Sequence, residues 1–364
     1  MSSLIVKVHR ISNIERHPNA DKLEIVTVGG WNTLIQTGQY SVGDLVVFVP
    51  PDSILPQTLI ERYQLEYLKK GERVRTVKLR GVISQGLILD TSCLPSGSYR
   101  DGMDVAEYLG ITKYEVPDRP SYNHRGNQIS KKKLNPLFDK YTDIENIKNF
   151  QDVLMEGDEV IYTEKLHGTN ARFGKLKKKS PDLSTISGWI EWIKIKIFNQ
   201  THEFCYGSHN VQKPVGKFET FYDEDFWVEM ARKYSLDKML PPNYIFFGEI
   251  IGNGVQDLIY GLKGRDLYIF DIKDTMSGKF LDWRHLCHFC ASLGLKTVPV
   301  IEQGIFDEKK LASFTSGKSL ICPSQIREGV VCRPVRETTS YIGRHIFKSI
   351  SPEYLLRKNG TEFK

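Results

Sequence analysis

The chain has 364 residues, of which 40% are hydrophobic and 26% are charged, as is usual for a soluble globular protein long enough for two domains. No stretch approaches the ~20 consecutive apolar residues that a membrane span needs, and charges interrupt the apolar residues near the N-terminus at once. We therefore expect neither a signal peptide nor a membrane partner. The 50 lysine and arginine residues exceed the 44 aspartate and glutamate residues, which suits a polyanionic partner without identifying one.

Residues 1–112 are predicted to form a small β-rich unit. Its strand candidates are short and lie beside glycine or proline, at 23–28, 44–50 and 87–89. Short strands of this kind are typical of a barrel or a sandwich. A short helix over 104–109, closed by Gly110, is expected to end the unit.

Residues 113–145 are polar and rich in turn residues, which predicts a connector. Its lysine run at 131–133 would be solvated or would contact a phosphate backbone. Residues 146–364 have the mixed pattern of a larger α+β unit. Its strand candidates are 158–164, 244–250, 266–272 and 328–333, and its helix candidates are 224–235 and 283–293.

The segment 174–200 is interpreted as an insertion in this second unit. It begins with a run of lysines and continues through Trp189, Trp192 and several isoleucines with further lysines between them. Three interpretations stay open: the segment grips RNA, touches a membrane surface, or caps the core.

The six cysteines have no regular spacing, so we expect reduced and mostly buried thiols in a cytoplasmic protein, with a nuclear or organellar location left open. Cys287 and Cys290 form a lone CxxC on a predicted helical face, which favours core packing over metal or redox chemistry. Nothing in the sequence points to an obligate protein partner.

The most informative local pattern is Glu164-Lys165-Leu166-His167-Gly168-Thr169-Asn170, at the end of a predicted strand. A lysine is a nucleophile only when it is neutral, so it needs burial or nearby positive charge to favour that form. A lysine at a strand end beside a glycine turn can be held rigidly against a phosphate. From these residues alone, an exposed surface lysine is the competing interpretation.

This segment resembles motif I of the covalent nucleotidyltransferases, and its His-Gly-Thr-Asn continuation is similar to the RNA ligase 2-like family. DNA ligases and capping enzymes more often carry aspartate before the glycine. Five further matches follow in family order and resemble motifs Ia, III, IIIa, IV and V: Gly207-Ser208-His209-Asn210, Phe247-Gly248-Glu249, Tyr268-Ile269-Phe270-Asp271, Glu328-Gly329-Val330-Val331 and Ile346-Phe347-Lys348. Each match alone is weak, but the ordered set spans most of the C-terminal unit.

The resemblance implies an α+β fold with a nucleotidyltransferase domain of antiparallel sheets and flanking helices, and it implies a role for each matched residue. Lys165 would attack ATP and carry the adenylate, and Lys348 would stabilise charge on the phosphate as a second catalytic lysine. Glu328 would help to hold a divalent metal, Mg²⁺ or Mn²⁺. The other ATP or AMP contacts would come from Glu164, Asn170, Glu249, Phe270 and Val330, and RNA contacts would come from Arg172, His209 and Asn210.

Ordinary structural roles compete with several of these assignments. Glu249 would accept a hydrogen bond from a ribose hydroxyl or be a surface carboxylate, and Phe270 would stack on adenine or pack in the core. Motif V often has a second lysine two positions after the first, and here that residue is Ile350. Either Lys348 acts alone or another base, such as Arg344, compensates. For His167 we favour a turn-stabilising role over a metal or acid–base role.

The N-terminal unit carries a second resemblance. His17-Pro18-Asn19-Ala20-Asp21-Lys22-Leu23 and, later, Arg80-Gly81-Val82-Ile83-Ser84-Gln85-Gly86-Leu87 resemble the OB-fold tRNA-binding module of some tRNA synthetases. This implies an N-terminal β-barrel that binds RNA through a basic face, whereas a plain turn at Pro18 is the alternative. An OB domain placed before the ligase motifs is similar to one branch of the RNA ligases.

Together these resemblances imply an ATP-dependent RNA ligase. It would join RNA 3′-hydroxyl and 5′-phosphate ends through a lysyl-AMP intermediate and an adenylated RNA 5′ end. Two alternatives stay open: another polynucleotide ligase or capping-type nucleotidyltransferase, and an RNA- or tRNA-binding protein whose catalytic domain has decayed. The natural RNA, whether a nick, single-stranded ends or a broken tRNA loop, is also open.

Overall fold

A computed structural model of the chain describes residues 4–68, 71–97, 99–114, 135–213 and 225–357. These residues form two compact units. The first contains 145–152 and 352–357 in addition to the N-terminal residues, and the second contains 135–144 and the described part of 153–351. Most of the predicted connector, including the lysine run at 131–133, lies outside the described residues.

Short strands dominate both units. In chain order the strands are β1 (Lys7–Arg16), β2 (Leu23–Val28), β3 (Trp31–Gln36), β4 (Leu45–Val49), β5 (Ser53–Ile54), β6 (Val77–Leu79), β7 (Val82–Ser84), β8 (Leu87–Asp90), β9 (Thr112–Lys113), β10 (Glu145–Asn146), β11 (Glu159–Lys165), β12 (Thr169–Lys177), β13 (His202–Gly207), β14 (Gln212–Lys213), β15 (Tyr244–Gly252), β16 (Arg265–Asp274), β17 (Lys296–Thr297), β18 (Val300–Ile305), β19 (Gly329–Pro334), β20 (Thr339–Ser340), β21 (Gly343–Arg344) and β22 (Phe347–Ile350). The helices are α1 (Gln57–Arg62), α2 (Ala106–Leu109), α3 (Ile186–Phe198), α4 (Phe226–Lys233), α5 (Leu236–Met239), α6 (Trp283–Ser292), α7 (Glu308–Thr315) and α8 (Pro352–Leu355).

A five-stranded antiparallel sheet organises the first unit, in the order β3-β2-β1-β4-β8. Strand β1 pairs with two other strands. Residues 7–10 pair with β4 and residues 11–16 pair with β2, and the register is irregular beside Ile11. A strand that changes partner at such an irregularity bends its sheet, as a small barrel requires. The apolar run of β4 is buried on both faces, because Val47 and Val49 join one core cluster while Val46 and Phe48 join another.

Two sheets form the second unit. Within this unit the first sheet has the order β22-β19-β11-β18, and the second has the order β14-β13-β12-β15-β16-β17. Strands β16 and β17 pair in parallel, and the other pairings are antiparallel. The consecutive strands β11 and β12 belong to different sheets, so the short turn between them carries the chain from one sheet to the other. The motif I residues lie at this turn.

The strands and helices predicted for the second unit are present with small changes at their ends. Helix α6 buries Trp283, Leu286 and Cys290 on one face, as its apolar spacing predicts. Cys290 therefore packs in the core, while Cys287 is only partly buried. The predicted helix at 224–235 is α4, whose Met230 is fully buried.

The inserted segment 174–200 forms the end of β12, the helix α3 and the approach to β13. Leu176 at the end of β12 is buried in the core, whereas most of the described apolar side chains of α3 are exposed, including Ile186, Trp189 and Ile197. Among the described residues, no helix combines the length and the apolar character needed to span a bilayer.

Candidate active site

The turn between β11 and β12 places the predicted nucleophile. Lys165 is the last residue of β11, and Thr169 is the first residue of β12. Gly168 lies so close to β15 that an added Cβ atom would be 2.2 Å from the carbonyl oxygen of Ile250. A side chain at this position would push β15 away, so glycine allows the lysine-bearing turn to pack directly against it.

Lys165 forms an ion pair with Glu328, a residue far away in the sequence. The Glu328 carboxylate is almost completely buried, whereas the lysine side chain is 27% exposed and faces the pocket described below. The two strands meet here because Lys165 pairs with Gly329 across the first sheet. An added Cβ on Gly329 would lie 2.2 Å from the carbonyl oxygen of Ser349, so this strand also depends on a glycine for its close approach.

A loop after β15 holds the turn that follows Lys165. The backbone N–H of His167 donates to the Tyr260 hydroxyl at 2.6 Å, and His167 Nε2 lies 2.8 Å from Asp257 Oδ1. Gln256 donates from Nε2 to the carbonyl oxygen of Gly168 at 3.3 Å. The His167 ring is buried, and these contacts agree with the turn-stabilising role predicted for it.

Asn170, Glu249 and Phe270 lie together beside the lysine. Asn170 and Glu249 are direct partners across β12 and β15, so their side chains lie on one face of the second sheet. Phe270 is the extra residue of a β-bulge in the pairing of β15 with β16, a feature that can redirect a side chain toward a site. All three line one pocket with Lys165, with an empty volume of about 690 Å³.

Buried polar atoms without a protein partner mark the same pocket. Asn170 Oδ1 and Glu164 Oε1 are buried and have no hydrogen-bond partner in the described structure. The other oxygen of Glu164 accepts a hydrogen bond from the Leu320 backbone N–H at 2.7 Å. An unsatisfied buried acceptor costs roughly 1–3 kcal/mol, so these atoms fit a ligand that brings hydrogen-bond donors.

Burial raises the pKa of both carboxyl groups in the pocket, those of Glu164 and Glu249. It raises the pKa of Glu164, although the hydrogen bonds from Ser319 and Leu320 oppose the shift. Burial also raises the pKa of Glu249 to about 8, against the opposing charge of Lys165 and with a smaller contribution from Glu328 in the same direction. Both groups can therefore keep a proton at pH values where an exposed glutamate would be ionised.

A Glu249→Gln variant is expected to lose part of the pH dependence of stability. Folded Glu249 keeps its proton between pH 4.5 and about 8, whereas the unfolded chain releases it. Its contribution to the free energy of unfolding is therefore present in full below pH 4.5 and lost as the pH rises to about 8. The wild-type curve should fall more steeply than the variant curve in this window, by no more than about 1.4 kcal/mol per pH unit. Denaturant titrations at pH 5, 6.5 and 8 measure the difference, and parallel curves would contradict the assignment.

The position of Lys348 follows from the strand register. Lys348 pairs with Val331, which lines the pocket, so the lysine lies on the pocket face of the first sheet. Val330, predicted as a nucleotide contact, is fully buried and alternates to the other face, so the structure brings Val331 and not Val330 to the pocket. Ile350 pairs with Gly329 in the cross-strand row that contains Lys165.

The side chain of Arg344 makes contacts outside the pocket lining. Its guanidinium group donates to Asp271 at 2.7 Å and to Glu337 at 2.5 Å and stacks over Phe280 at 3.5 Å. The side chain is 8% exposed and does not line the pocket. Its contacts therefore offer no replacement for the missing second lysine.

The three residues predicted to contact RNA lie outside the pocket lining. Arg172 is buried and donates to the backbone carbonyl oxygens of Phe138, Asp139 and Ser208. Asn210 accepts a hydrogen bond from Lys140 at 2.8 Å, and His209 lies 3.9 Å from Asp143. Arg172 thus anchors neighbouring chain segments, while RNA contacts by His209 and Asn210 stay a prediction.

Several pocket residues were not predicted from the sequence. They are mostly apolar or aromatic and come from separate elements: Tyr141, Ile144, Thr163, Leu166, Trp283, Val298, Val331, Arg333 and Ile346. Thr163 could have been inferred from strand alternation, since it lies two residues before Lys165. Leu166, Val331 and Ile346 lie within the quoted motifs, and the remaining residues carry no local signal that separates a pocket wall from ordinary core.

The fold and the site together define a class of protein: a nucleotidyltransferase-like domain of antiparallel sheets with an ion-paired lysine at a pocket between strands. The RNA ligase family model matches residues 158–350, which is more than half of the chain, and the chain belongs to this family. An OB-fold domain model matches residues 5–91. The predicted order, an OB-fold followed by an RNA ligase domain, is confirmed.

Solved structures of Naegleria gruberi RNA ligase are similar to the chain over nearly its whole length. A variant without ligand has 25% sequence identity and a TM-score of 0.70, with 98% of each chain covered. A variant with AMP and Mn has 25% identity and a TM-score of 0.71, with 96% of this chain and 98% of that chain covered.

A curated protein is similar to part of the chain. The phenylalanine–tRNA ligase beta subunit of Symbiobacterium thermophilum is 35% identical over 127 residues, which is 30% of this chain and 13% of that protein. The chain thus spans a small part of this relative's length.

Proposed function

We propose that this protein is an ATP-dependent RNA ligase that joins 3′-hydroxyl and 5′-phosphate RNA ends through a lysyl-AMP intermediate. The observation that carries the proposal is the side chain of Lys165, held by Glu328 at the edge of a pocket lined by Asn170, Glu249 and Phe270. The solved Naegleria gruberi ligase structures with ATP and Mn and with AMP and Mn support the choice of nucleotide.

The pocket suits an adenosine group. Phe270 offers an aromatic face for the base, and the unpartnered buried oxygens of Asn170 and Glu164 suit the hydrogen-bond donors of adenine or ribose. Glu249 lies opposite Asn170 on the same face and is placed to bond a ribose hydroxyl. Its raised pKa lets it do so without a full buried charge.

The first chemical step is assigned to Lys165. Its neutral amine attacks the α-phosphorus of ATP, a phosphorus–nitrogen bond forms, and the bond to pyrophosphate breaks. The Glu328 carboxylate in contact with Nζ is the nearest acceptor for the proton that the ammonium must lose. Lys348, on the pocket face of β22, stabilises the negative charge that develops on the phosphate oxygens.

The two later steps transfer the activated group to RNA. An oxygen of the RNA 5′-phosphate displaces the lysine from the adenylate, which converts the 5′-phosphate into an electrophile with AMP as its leaving group. The 3′-hydroxyl of the second end then attacks this phosphorus and expels AMP. The first unit, with its OB-fold match, is assigned to RNA binding.

The protein side chains at this site would hold a divalent cation only together with phosphate oxygens of the substrate. No cluster of three or more histidine, cysteine, aspartate or glutamate side chains that could hold a metal ion occurs in the part of the chain that the structure describes. Mg²⁺ is commonly held by one or two carboxylates together with substrate phosphates and water, and Glu328 with the nucleotide would provide such a set. A bound cation would screen the phosphate charges.

The test is incubation of the purified full chain with α-labelled ATP and Mg²⁺ or Mn²⁺, followed by denaturation and measurement of retained label. Wild type should retain label from ATP and not from α-labelled GTP, and a Lys165→Ala variant should retain none. Intact mass, measured beforehand, detects protein that already carries AMP. A protein with neither label nor added mass would overturn the proposal and favour the decayed RNA-binding alternative.

A further inference from the structure

Helix α3 exposes an unusual amount of apolar surface for a well-formed helix. Ile186 is 82% exposed, Ile197 is 69% exposed, and Trp189 and Ile190 are each 50% exposed. The helix begins at a side-chain cap, because Thr185 accepts a hydrogen bond from the Gly188 backbone N–H at 3.1 Å. A capped helix with its largest side chains in solvent suggests that this face has a partner.

The exposed apolar residues follow one broad side of the helix. At about 100° per residue, the arc from Trp192 through Trp189 and Ile193 to Ile190 covers roughly 160° of the circumference. Ile186 and Ile197 fall inside this arc. Lys196 falls inside it as well, and its ammonium group lies 5.9 Å from the centre of the Trp192 ring. The apolar face is thus wide and carries a cation within it.

The segment that carries this face is rich in positive charge. Residues 175–200 contain six lysines and two acidic residues, which gives this segment a formal charge of +4. Lys177, Lys179, Lys194 and Lys196 are exposed. A second copy of the same face would bring these like charges together, whereas an anionic partner would neutralise them.

We propose that α3 is a peripheral docking element that lies on an anionic lipid surface. Its apolar arc would enter the boundary between headgroups and acyl chains, and the lysines would contact lipid phosphates. This proposal revises the sequence-based expectation that the protein has no membrane contact. With 13 residues, α3 is too short to span a bilayer, so the contact is to one surface.

Two features favour lipid over the other anionic partners. RNA could stack on Trp189 and Trp192, but four exposed isoleucines would stay in water, because aliphatic side chains do not stack on bases. A closed protein groove would bury the ammonium group of Lys196 within the apolar arc. At a bilayer the lysine stem can lie along the apolar layer while its ammonium group reaches a phosphate.

The docking element is remote from the pocket. Asn170 lies near the start of β12, and α3 follows Lys177 at the other end of that strand. At about 3.3 Å per residue, this stretch places the end of β12 that leads to α3 roughly 20 Å from Asn170. Substitutions on α3 should therefore leave lysine adenylation unchanged, and the proposal does not depend on the function assigned to the pocket.

The experiment is co-sedimentation of the full chain with vesicles of phosphatidylcholine alone or of phosphatidylcholine and phosphatidylglycerol in equal amounts. Wild type should bind the anionic vesicles, and added salt should weaken the binding. An Ile190→Ser, Ile193→Ser double variant should bind at least ~10-fold more weakly. An Ile305→Ser variant, which changes an exposed isoleucine on β18, should bind like wild type.

A Lys177→Glu, Lys179→Glu variant separates charge from apolar contact and should lose the preference for anionic vesicles. Circular dichroism and retention of labelled AMP confirm that each variant is folded. Equal sedimentation of wild type and the isoleucine variant, or no sedimentation with either vesicle, would overturn the proposal. So would loss of affinity for single-stranded RNA in the isoleucine variant without any change in vesicle binding, which would assign α3 to RNA.

Discussion

ATP-dependent sealing by a Lys165→Arg variant is expected to fall by roughly 10³-fold or more. Arginine keeps a positive charge at position 165 and can retain the ion pair with Glu328, so the pocket should stay assembled. Its guanidinium group stays protonated at any working pH and cannot act as the nucleophile. The variant thus removes the proposed first step while disturbing the electrostatics of the site less than Lys165→Ala does. A gel assay of labelled RNA ends with ATP and Mg²⁺ measures the loss.

Pre-adenylated RNA provides the matched control. This substrate already contains the activated 5′ end, so its joining to a 3′-hydroxyl does not need the lysine as a nucleophile. We expect the Lys165→Arg variant to seal it within about tenfold of the wild-type rate. Equal loss with both substrates would mean that residue 165 supports the whole site and not the adenylation step. ATP-dependent sealing near the wild-type rate would remove Lys165 from the mechanism.

The sequence predicts the scaffold well where a single strong pattern decides the structure. The β-branched and aromatic runs that become β2, β11 and β15 have no helical periodicity and end near glycine, so both their type and their bounds could be inferred. The ordered motifs also predict residues that lie together in the structure, because Lys165, Asn170, Glu249 and Phe270 line one pocket.

The parts that could not be predicted depend on contacts between distant elements. The bulge that places Phe270 exists only in the pairing of β15 with β16, and a bulge has no reliable signature in one strand. Val331 lines the pocket in place of Val330 because the register of β19 decides which face each side chain takes. The resemblance assigned Arg172 to RNA contact, and in the structure its Nε and Nη1 groups donate to backbone carbonyl groups within the protein.

A buried network of charged and aromatic residues behind the pocket also could not be predicted from the sequence, because it joins distant elements. Asp271 is completely buried, and its Oδ2 accepts hydrogen bonds from Tyr141 and Arg344 and lies 3.2 Å from Arg333. The Tyr141 ring contacts Phe270 edge to face, with ring centres 4.9 Å apart. Glu337 also pairs with both arginines, so two carboxylates balance two buried guanidinium groups. Asp271 in addition fixes an aromatic ring of the pocket wall through its bond to Tyr141.

An Asp271→Asn variant is expected to lower the free energy of unfolding by about 3–5 kcal/mol, because it leaves two buried guanidinium groups with Glu337 as their one carboxylate partner among the described residues. Denaturant unfolding followed by tryptophan fluorescence measures the loss. An Asp143→Asn variant, which changes an exposed aspartate in the same unit, should shift the midpoint by less than about 0.5 kcal/mol.

A second substitution tests whether the loss of stability arises from guanidinium charge that has lost a carboxylate partner. Adding Arg344→Leu to Asp271→Asn removes one of the two guanidinium groups and should recover part of the lost stability, so the two effects would not be additive. Strict additivity would mean that Asp271 contributes through its hydrogen bonds alone. In that case the carboxylate would act as a local brace for Tyr141 and the pocket wall, and the ion pairs with Arg333 and Arg344 would contribute little to folding.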